Sequence, residues 1–164
     1  MKPSDQTTET NQKDVIITRS FTAPLQAVWN AWTDPAVFKK WCGPKSYTCP
    51  HVDIDFRVGG KILSCMRSKE GKDMWGLNVI QEIEEGRKIV MTDNFSDSQG
   101  NIVPANEVMP GNWTNDMFIT LEFDENLGKT DFTLRHEGIP PEMHDECKKG
   151  WEESFDKLEA AISS

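Results

Sequence analysis

Apolar positions follow three successive patterns along the 164-residue chain, and each pattern predicts a different kind of element. The β-branched run DVIITRSF, at 14–21, is typical of a strand. Over residues 24–32 the apolar side chains recur at intervals of three and four, which predicts a helix with one apolar stripe. Asp34 and Pro35 suit an N-cap and a first helical turn, so a second short helix is expected up to Trp41.

Between Thr48 and Glu137 the period changes to two, which predicts about six further strands of an antiparallel sheet. These strands are expected in the segments VDIDF, KILSCMRS, DMWGLNVIQEI, RKIVMTDNF, WTNDMFITLEF and KTDFTLRHE. A polar loop from Ser96 to Asn112 interrupts them. It is longer than most connections in compact domains, and loops of this length are often functional.

The end of the chain returns to a helical period. An apolar stripe at i, i+4, i+7 and i+11 predicts one long amphipathic helix, and it consists of Trp151, Phe155, Leu158 and Ile162. Residues 1–13 contain no apolar side chain beyond Met1, which predicts a disordered tail. Residues 14–164 are then expected to form a single α+β domain, with sequential antiparallel strands and the helices gathered on one side.

Alternation also predicts which side chains point into the interior. The inward sets on four strands are expected to be Ile62, Ser64 and Met66; Ile89, Met91, Asp93 and Phe95; Met117, Ile119, Leu121 and Phe123; and Phe132, Leu134 and His136. The strand over 75–83 is ambiguous, because apolar residues occur on both of its faces. The face that carries Trp75 is favoured over the face that carries Asn78.

Composition and charge exclude several classes of function. Six tryptophans and eight phenylalanines enlarge the core of a chain that is 37% hydrophobic, so the fold is expected to need no disulfide. The net charge of −9 argues against nucleic-acid binding, which needs clustered Lys and Arg, and against anionic membrane surfaces. No run approaches 18 apolar residues, so no membrane span is expected. With no apolar leader and no disulfide spacing among four cysteines, the protein is expected in the reducing cytoplasm.

Few residues indicate chemistry by themselves. Cys49-x-His51 and His144-x-x-Cys147 resemble metal pairs, but neither has a matching second pair, so no metal and no cofactor are expected. The segment VGGK, at 58–61, is predicted to be a strand turn and not a phosphate-binding loop. No nucleophile with a neighbouring base is visible, so no catalytic residue is assigned and an enzyme is not favoured.

Several motifs resemble the START-like superfamily, also called SRPBCC or Bet v-like. Within it, the chain is most similar to proteins named for the C-terminal domain of the activator of the heat-shock protein 90 ATPase. The motifs are RSFTAPLQAVWNAWTDPAVFKKWCGP at 19–44, RVGG at 57–60, WGLNVIQEI at 75–83, KIVMTD at 88–93 and GWEESFDKLEAAI at 150–162. The resemblance implies the helix-grip fold, in which a curved antiparallel sheet of six to seven strands wraps a long C-terminal helix and two short helices follow the first strand.

The helix-grip fold implies a cavity between the sheet and the last helix, so the expected ligand is a hydrophobic or aromatic small molecule. Methionines adapt to varied shapes, aromatic rings provide flat walls, and Asp93 and His136 could fix a polar group. The candidate cavity-lining residues are Met66, Trp75, Met91, Asp93, Phe95, Trp113, Met117, His136, Trp151 and Phe155.

Two other functions stay open. One is a cyclase- or hydrolase-type enzyme, as some superfamily members are, with His136 and Asp93 as acid and base. The other is an interaction module with a chaperone partner, and a homodimer also stays open. Of the tryptophans near the N-terminus, Trp29 and Trp32 are expected to pack in the core, whereas Trp41 is expected at the rim of the cavity.

Overall fold

A computed structural model describes residues 14–111, 113 and 116–163. The predicted disordered tail, residues 1–13, lies outside these described residues. The described chain forms eight strands, three α-helices and two short 3₁₀ turns. The strands are β1 (Val15–Phe21), β2 (Thr48–Ile54), β3 (Lys61–Arg67), β4 (Asp73–Glu84), β5 (Lys88–Ser96), β6 (Ile102–Val103), β7 (Met117–Asn126) and β8 (Lys129–Glu137). The helices are α1 (Leu25–Thr33), α2 (Pro35–Trp41) and α3 (His144–Ser163).

The strands form one curled antiparallel sheet. Seven of them lie in the order β1-β8-β7-β5-β4-β3-β2, and the two-residue strand β6 adds to β5. The helix α3 packs inside the curl, and α1 and α2 close one end of it. The predicted α+β class and helix-grip arrangement are therefore confirmed, including the two short helices after the first strand. No helix among the described residues is both long and apolar enough to cross a bilayer.

Aromatic rings fill the contact between the sheet and the C-terminal half of α3. Phe155 is fully buried, and its ring lies 5.3 Å from Phe132 and 6.3 Å from Trp41. Trp29 and Trp32 are buried as predicted. The prediction for Trp41 is wrong: its side chain is 1% exposed and its indole N–H donates to the Ala31 carbonyl at 2.8 Å, so it belongs to the core and not to a rim.

On β5, β7 and β8 the side chains that were predicted to point into the interior do so. All of the predicted residues on β7 and β8 are buried, and Ile89 and Met91 on β5 are buried as well. Asp93 and Phe95 continue the same face of β5 and are partly exposed. This change along one face shows that the interior is closed at one end of the sheet and more open at the other.

The favoured face of β4 was the wrong one. Trp75 pairs with Cys65 in β3, and its ring lies 5.4 Å from that of His51, which is an exposed residue of β2. Asn78 and Ile80 face inward instead, since Ile80 pairs with the buried Met91. A bulge between Ile80 and Glu82 shifts the register, so the inward phase is not constant along the strand.

One lysine fixes the loop that follows α2 onto α3. The Lys157 ammonium group donates to the carbonyl oxygens of Cys42, Pro44 and Tyr47 at 3.4, 3.1 and 3.2 Å. Gly150 lies about two turns before Lys157 on α3. A Cβ added at Gly150 would lie 3.5 Å from Pro44, which is ordinary van der Waals contact. The 42–47 loop is thereby held against the middle of the helix, between Gly150 and Lys157.

Candidate functional site

The ring cluster around Phe155 does not extend to the N-terminal turns of α3. Five partly exposed side chains that pack against the core define the candidate site on this side, and together they are called the α3 groove: Met66, Phe95, Trp113, Cys147 and Trp151. The rings of Phe95 and Trp113 meet edge to face at 5.7 Å. The Trp113 indole N–H is satisfied by the Pro110 carbonyl at 3.0 Å, which leaves the ring face as an apolar wall.

A polar chain forms the floor of the α3 groove. Asp93 Oδ2 lies 2.8 Å from His136 Nε2, and Asn78 Nδ2 donates to Asp93 Oδ1 at 3.1 Å. The other ring nitrogen of His136 accepts from Trp151 Nε1 at 3.0 Å and lies 3.5 Å from Cys147 Sγ. Four elements therefore contribute to this chain of contacts: β4 through Asn78, β5 through Asp93, β8 through His136, and α3 through Cys147 and Trp151.

Two influences act in opposite directions on the protonation of His136. Burial lowers its pKa, while the hydrogen bonds with Asp93 and Cys147 raise it, and the resulting pKa is about 10. A tryptophan N–H only donates, however, so the Trp151 contact requires a free lone pair on Nδ1. The Trp151 contact is therefore made by the neutral ring, with its proton on Nε2 and directed at Asp93, whereas the raised pKa favours the charged ring. Proton uptake at Nδ1 requires Trp151 to turn away.

Asp93 is the part of this floor that solvent reaches. Its side chain is 24% exposed, whereas the His136 side chain is 6% exposed. Each Asp93 oxygen accepts one protein hydrogen bond and has capacity for another. A hydroxyl, amine or amide N–H that enters the groove would find an acceptor at this carboxylate.

The structure places the ten predicted site residues in three groups. Met66, Asp93, Phe95, Trp113 and Trp151 are partly exposed at the groove. Met91, Met117, His136 and Phe155 are buried on the same inward side, so Phe155 in particular packs with rings of the core. Trp75 lies on the outer face of the sheet, because β4 has the phase described above.

The helix-grip fold predicts a cavity between the sheet and α3. Two depressions, of about 410 and 360 Å³, lie on outer surfaces of the sheet and not between it and α3. The first is bordered by Lys61, Leu63 and Leu77, and the second by Lys88 and Arg135 among others. The rings around Phe155 fill the contact between the sheet and the C-terminal half of α3, so the partly exposed side chains of the α3 groove are the candidate ligand site.

Sequence reasoning missed two members of the site. Asn78 was assigned to the outer face with the wrong phase of β4. Cys147 was noticed only as part of His144-x-x-Cys147, whereas its partner is His136 on another element. A contact between a strand and a helix does not produce a regular spacing in the sequence. The contact between His136 and Cys147 therefore could not be predicted from the sequence.

The predicted pairs with metal-like spacing have other contacts. His51 Nε2 lies 2.8 Å from Asp53 Oδ2, and the Cys49 thiol donates to the His51 carbonyl at 3.6 Å. Across the described ranges, no three His, Cys, Asp or Glu side chains are grouped in a way that could hold a metal ion.

Comparison with known proteins identifies a family. The family model described as "Activator of Hsp90 ATPase homolog 1-like protein" matches residues 22–163, most of the chain. Among curated proteins, none is significantly similar in sequence.

Solved structures agree on the fold. A Chromobacterium violaceum protein is 26% identical with a TM-score of 0.76, and the match covers 93% of this chain and 98% of that one. An Arthrobacter aurescens protein is 22% identical with a TM-score of 0.78, over 94% and 88% of the two chains. A Silicibacter pomeroyi protein named AHSA1 is 21% identical with a TM-score of 0.73, over 92% and 97%.

Proposed function

We propose that this chain, which belongs to the family of Activator of Hsp90 ATPase homolog 1-like proteins, is a binding protein. Its ligand is an apolar or aromatic small molecule, and its binding site is the α3 groove. The family and the fold support a ligand-binding or activator-type role. The observation that carries the finer proposal is a partly exposed carboxylate, Asp93, which follows the inward face of β5 together with Phe95 and contacts His136, the partner of Trp151.

The walls of the groove favour a flat apolar ligand. The rings of Phe95 and Trp113 pack edge to face, and Trp151 provides a second indole on the α3 side. Met66 adds a flexible thioether, which adapts to ligands of different outline. Aromatic pairs contribute about 0.5–1.5 kcal/mol beyond the area that they bury, so these rings favour aromatic over aliphatic ligands.

The floor of the groove favours a ligand with one hydrogen-bond donor. The Asp93 carboxylate already accepts from Asn78 and His136, which hold it in one orientation. A fixed acceptor beside apolar walls selects a phenol, amine or amide, because a ligand that displaced water from this carboxylate without donating a hydrogen bond would leave it poorly solvated. The net charge of −9 also disfavours an anionic ligand.

The proposed function has an enzymatic alternative of the cyclase or hydrolase type. It is favoured by the 2.8 Å contact between His136 and Asp93, which is the geometry of an oriented base. His136 is buried behind Asp93 and Trp151, so a substrate would first meet the carboxylate. Binding is therefore the better-supported role.

A chaperone-associated module, the role in the family's name, is the other alternative. It would be favoured by a continuous exposed apolar patch. The large apolar residues that are exposed in the described chain lie on separate segments: Ile16, Val58, Ile102, Val108 and Leu127. This scatter favours a small-molecule ligand over a protein partner.

A thermal-shift screen with phenols, aromatic amines and flavonoids tests the proposal. A ligand of the groove should raise the melting temperature with increasing concentration, by mass action. With the best compound, Trp113→Ala should weaken binding about tenfold, which corresponds to about 1.4 kcal/mol. Trp75→Ala is the matched control, since this indole lies on the outer face of the sheet, and it should bind as the wild type does.

Two results would contradict the proposal. One is a screen in which no aromatic compound stabilises the wild-type protein. The other is a compound whose affinity falls equally in Trp113→Ala and Trp75→Ala, because that pattern would place it outside the groove or reflect general loss of stability.

A further inference from the structure

Three side chains with reactive groups contact one another in sequence at the α3 groove: Cys147, His136 and Asp93. Cys147 Sγ is 3.5 Å from His136 Nδ1, and His136 Nε2 is 2.8 Å from Asp93 Oδ2. Asn78 donates to the other Asp93 oxygen at 3.1 Å and so fixes the carboxylate. A thiol next to a base, with the base held by a third group, is the arrangement that activates a nucleophile.

Exposure distinguishes Cys147 from the other cysteines of the chain. Cys42, Cys49 and Cys65 are buried, whereas Cys147 is partly exposed. It lies in the first turns of α3, next to Asp145 and Glu146. Its thiol is therefore reachable, unlike the thiols of the three buried cysteines.

Trp151 competes with the thiol for the histidine. It follows Cys147 by one turn on α3, and its indole N–H donates to His136 Nδ1 at 3.0 Å. While this bond is formed, the lone pair that would take a proton from the thiol is occupied. The indole therefore restrains the reaction, and rotation of its side chain frees the base.

We propose that Cys147 is a nucleophile that His136 activates, and that it captures an apolar α,β-unsaturated carbonyl compound in the α3 groove. The thiol proton moves to His136 Nδ1 and the sulfur adds to the β-carbon, so a C–S bond forms as the C=C π bond breaks. The resulting enolate takes a proton at its α-carbon from the imidazolium, which returns to the neutral ring. No oxidant, reductant or leaving group is needed.

The basicity of His136 supports this role. The Asp93 and Cys147 contacts outweigh burial and raise the pKa of His136, so the imidazolium formed when the thiol proton reaches Nδ1 is stabilised by Asp93 across the ring. Of the titratable groups, Asp93 from β5 and Cys147 from α3 are the two that raise it. The choice of electrophile rests on the proposed function, because the apolar walls of the groove select it.

The test of activation uses iodoacetamide at pH 7, with labelling of each cysteine followed by peptide mass spectrometry. A positioned base typically contributes about 10²–10⁴-fold, so Cys147 should react at least about tenfold faster in the folded protein than in guanidinium. His136→Gln should lower the rate to that of the unfolded chain. Trp151→Phe keeps an aromatic ring but removes the competing donor, so it should raise the rate several-fold.

Three outcomes would overturn the proposal. The first is a Cys147 that reacts no faster in the folded than in the unfolded protein. The second is a His136→Gln variant whose Cys147 reacts as fast as in the wild type. The third is a Trp151→Phe variant in which the reaction is slower. Circular dichroism checks that each variant folds. If His136→Gln does not fold, the Trp151→Phe rate still decides, because a purely structural tryptophan would not restrain the thiol.

The electrophile is tested with 4-phenylbut-3-en-2-one and its saturated analogue, 4-phenylbutan-2-one. The enone should add one adduct mass at Cys147, and Cys147→Ser should remove it. The saturated ketone should slow this addition by occupying the groove. If iodoacetamide reacts rapidly but the saturated ketone has no effect, the nucleophile is retained and the proposed binding function fails. If the enone forms no adduct at Cys147, the covalent capture fails.

Discussion

Two neighbours of His136, Trp151 and Cys147, contact the same ring nitrogen, Nδ1, and each can require a different protonation state of it. Trp151 needs a lone pair on Nδ1, whereas the Cys147 thiol needs either that lone pair or, once ionised, a proton on the same atom. Asp93 on the opposite side favours the charged ring. The balance at this residue sets the charge of the groove floor and, with it, the chemistry that the groove allows.

The protonation of His136 leads to a prediction about stability and pH. An unfolded histidine loses its proton near pH 6.5, but the pKa of His136 in the folded protein is about 10. Between these values the folded state binds more protons, so rising pH reduces the stability that the Asp93 contact contributes. In urea unfolding, the stability advantage of the wild type over Asp93→Asn should be largest at pH 6.5 and below, and should shrink toward pH 10.

An advantage that stays constant or grows as the pH rises from 6.5 to 10 would contradict this account. A constant advantage would show that the His136 ring of the folded protein does not change its protonation in this range. Comparing the two proteins at each pH removes the effects of lysine and tyrosine titration, which both proteins share.

The two halves of the helix α3 make different contacts. Its C-terminal half buries Phe155 and Leu158 completely and closes the interior. Its N-terminal half carries Cys147 and Trp151 along the groove, and Gly150 lies between them facing the 42–47 loop. This division explains why one helix serves both the core and the site.

Gly150 provides a test of this division at the level of the helix. An added Cβ would lie 3.5 Å from Pro44, which is normal contact, and alanine is about 1 kcal/mol better than glycine inside a helix. Gly150→Ala should therefore stabilise the protein by about 0.5–1 kcal/mol in urea unfolding, with ligand affinity unchanged. A destabilised variant would show that the helix and the 42–47 loop lie closer together than described.

Strand patterns predicted β5, β7 and β8 well, because each has one apolar face against α3. The strand β4 is different, since both of its faces are covered. Leu77 on the outer face is buried, and it borders the same depression as Leu63 and Gly100 from the loop after β5. Alternation therefore could not distinguish the two faces, and the bulge after Ile80 changed the phase within the strand.

At the scale of the whole molecule, motifs and pattern predicted the fold but not the site. The family motifs extend along the chain, so element order and class followed from them. The floor of the groove joins Asn78, Asp93, His136 and Cys147 from four elements, and their contacts depend on the curl of the sheet around α3. The alternating pattern alone identifies Asp93 and His136 as polar residues on apolar faces. It does not predict that the two side chains contact each other.

The central claim is that the ligand site lies at the N-terminal half of α3. The indole N–H signals of the six tryptophans in a ¹⁵N-labelled sample test it most directly, during titration with the best compound from the thermal-shift screen. The signals of Trp113 and Trp151 should shift with ligand concentration, while those of Trp75, on the outer face, and of the buried Trp29 and Trp41 stay in place. A titration that shifts Trp75 and leaves Trp113 and Trp151 unchanged would contradict the account.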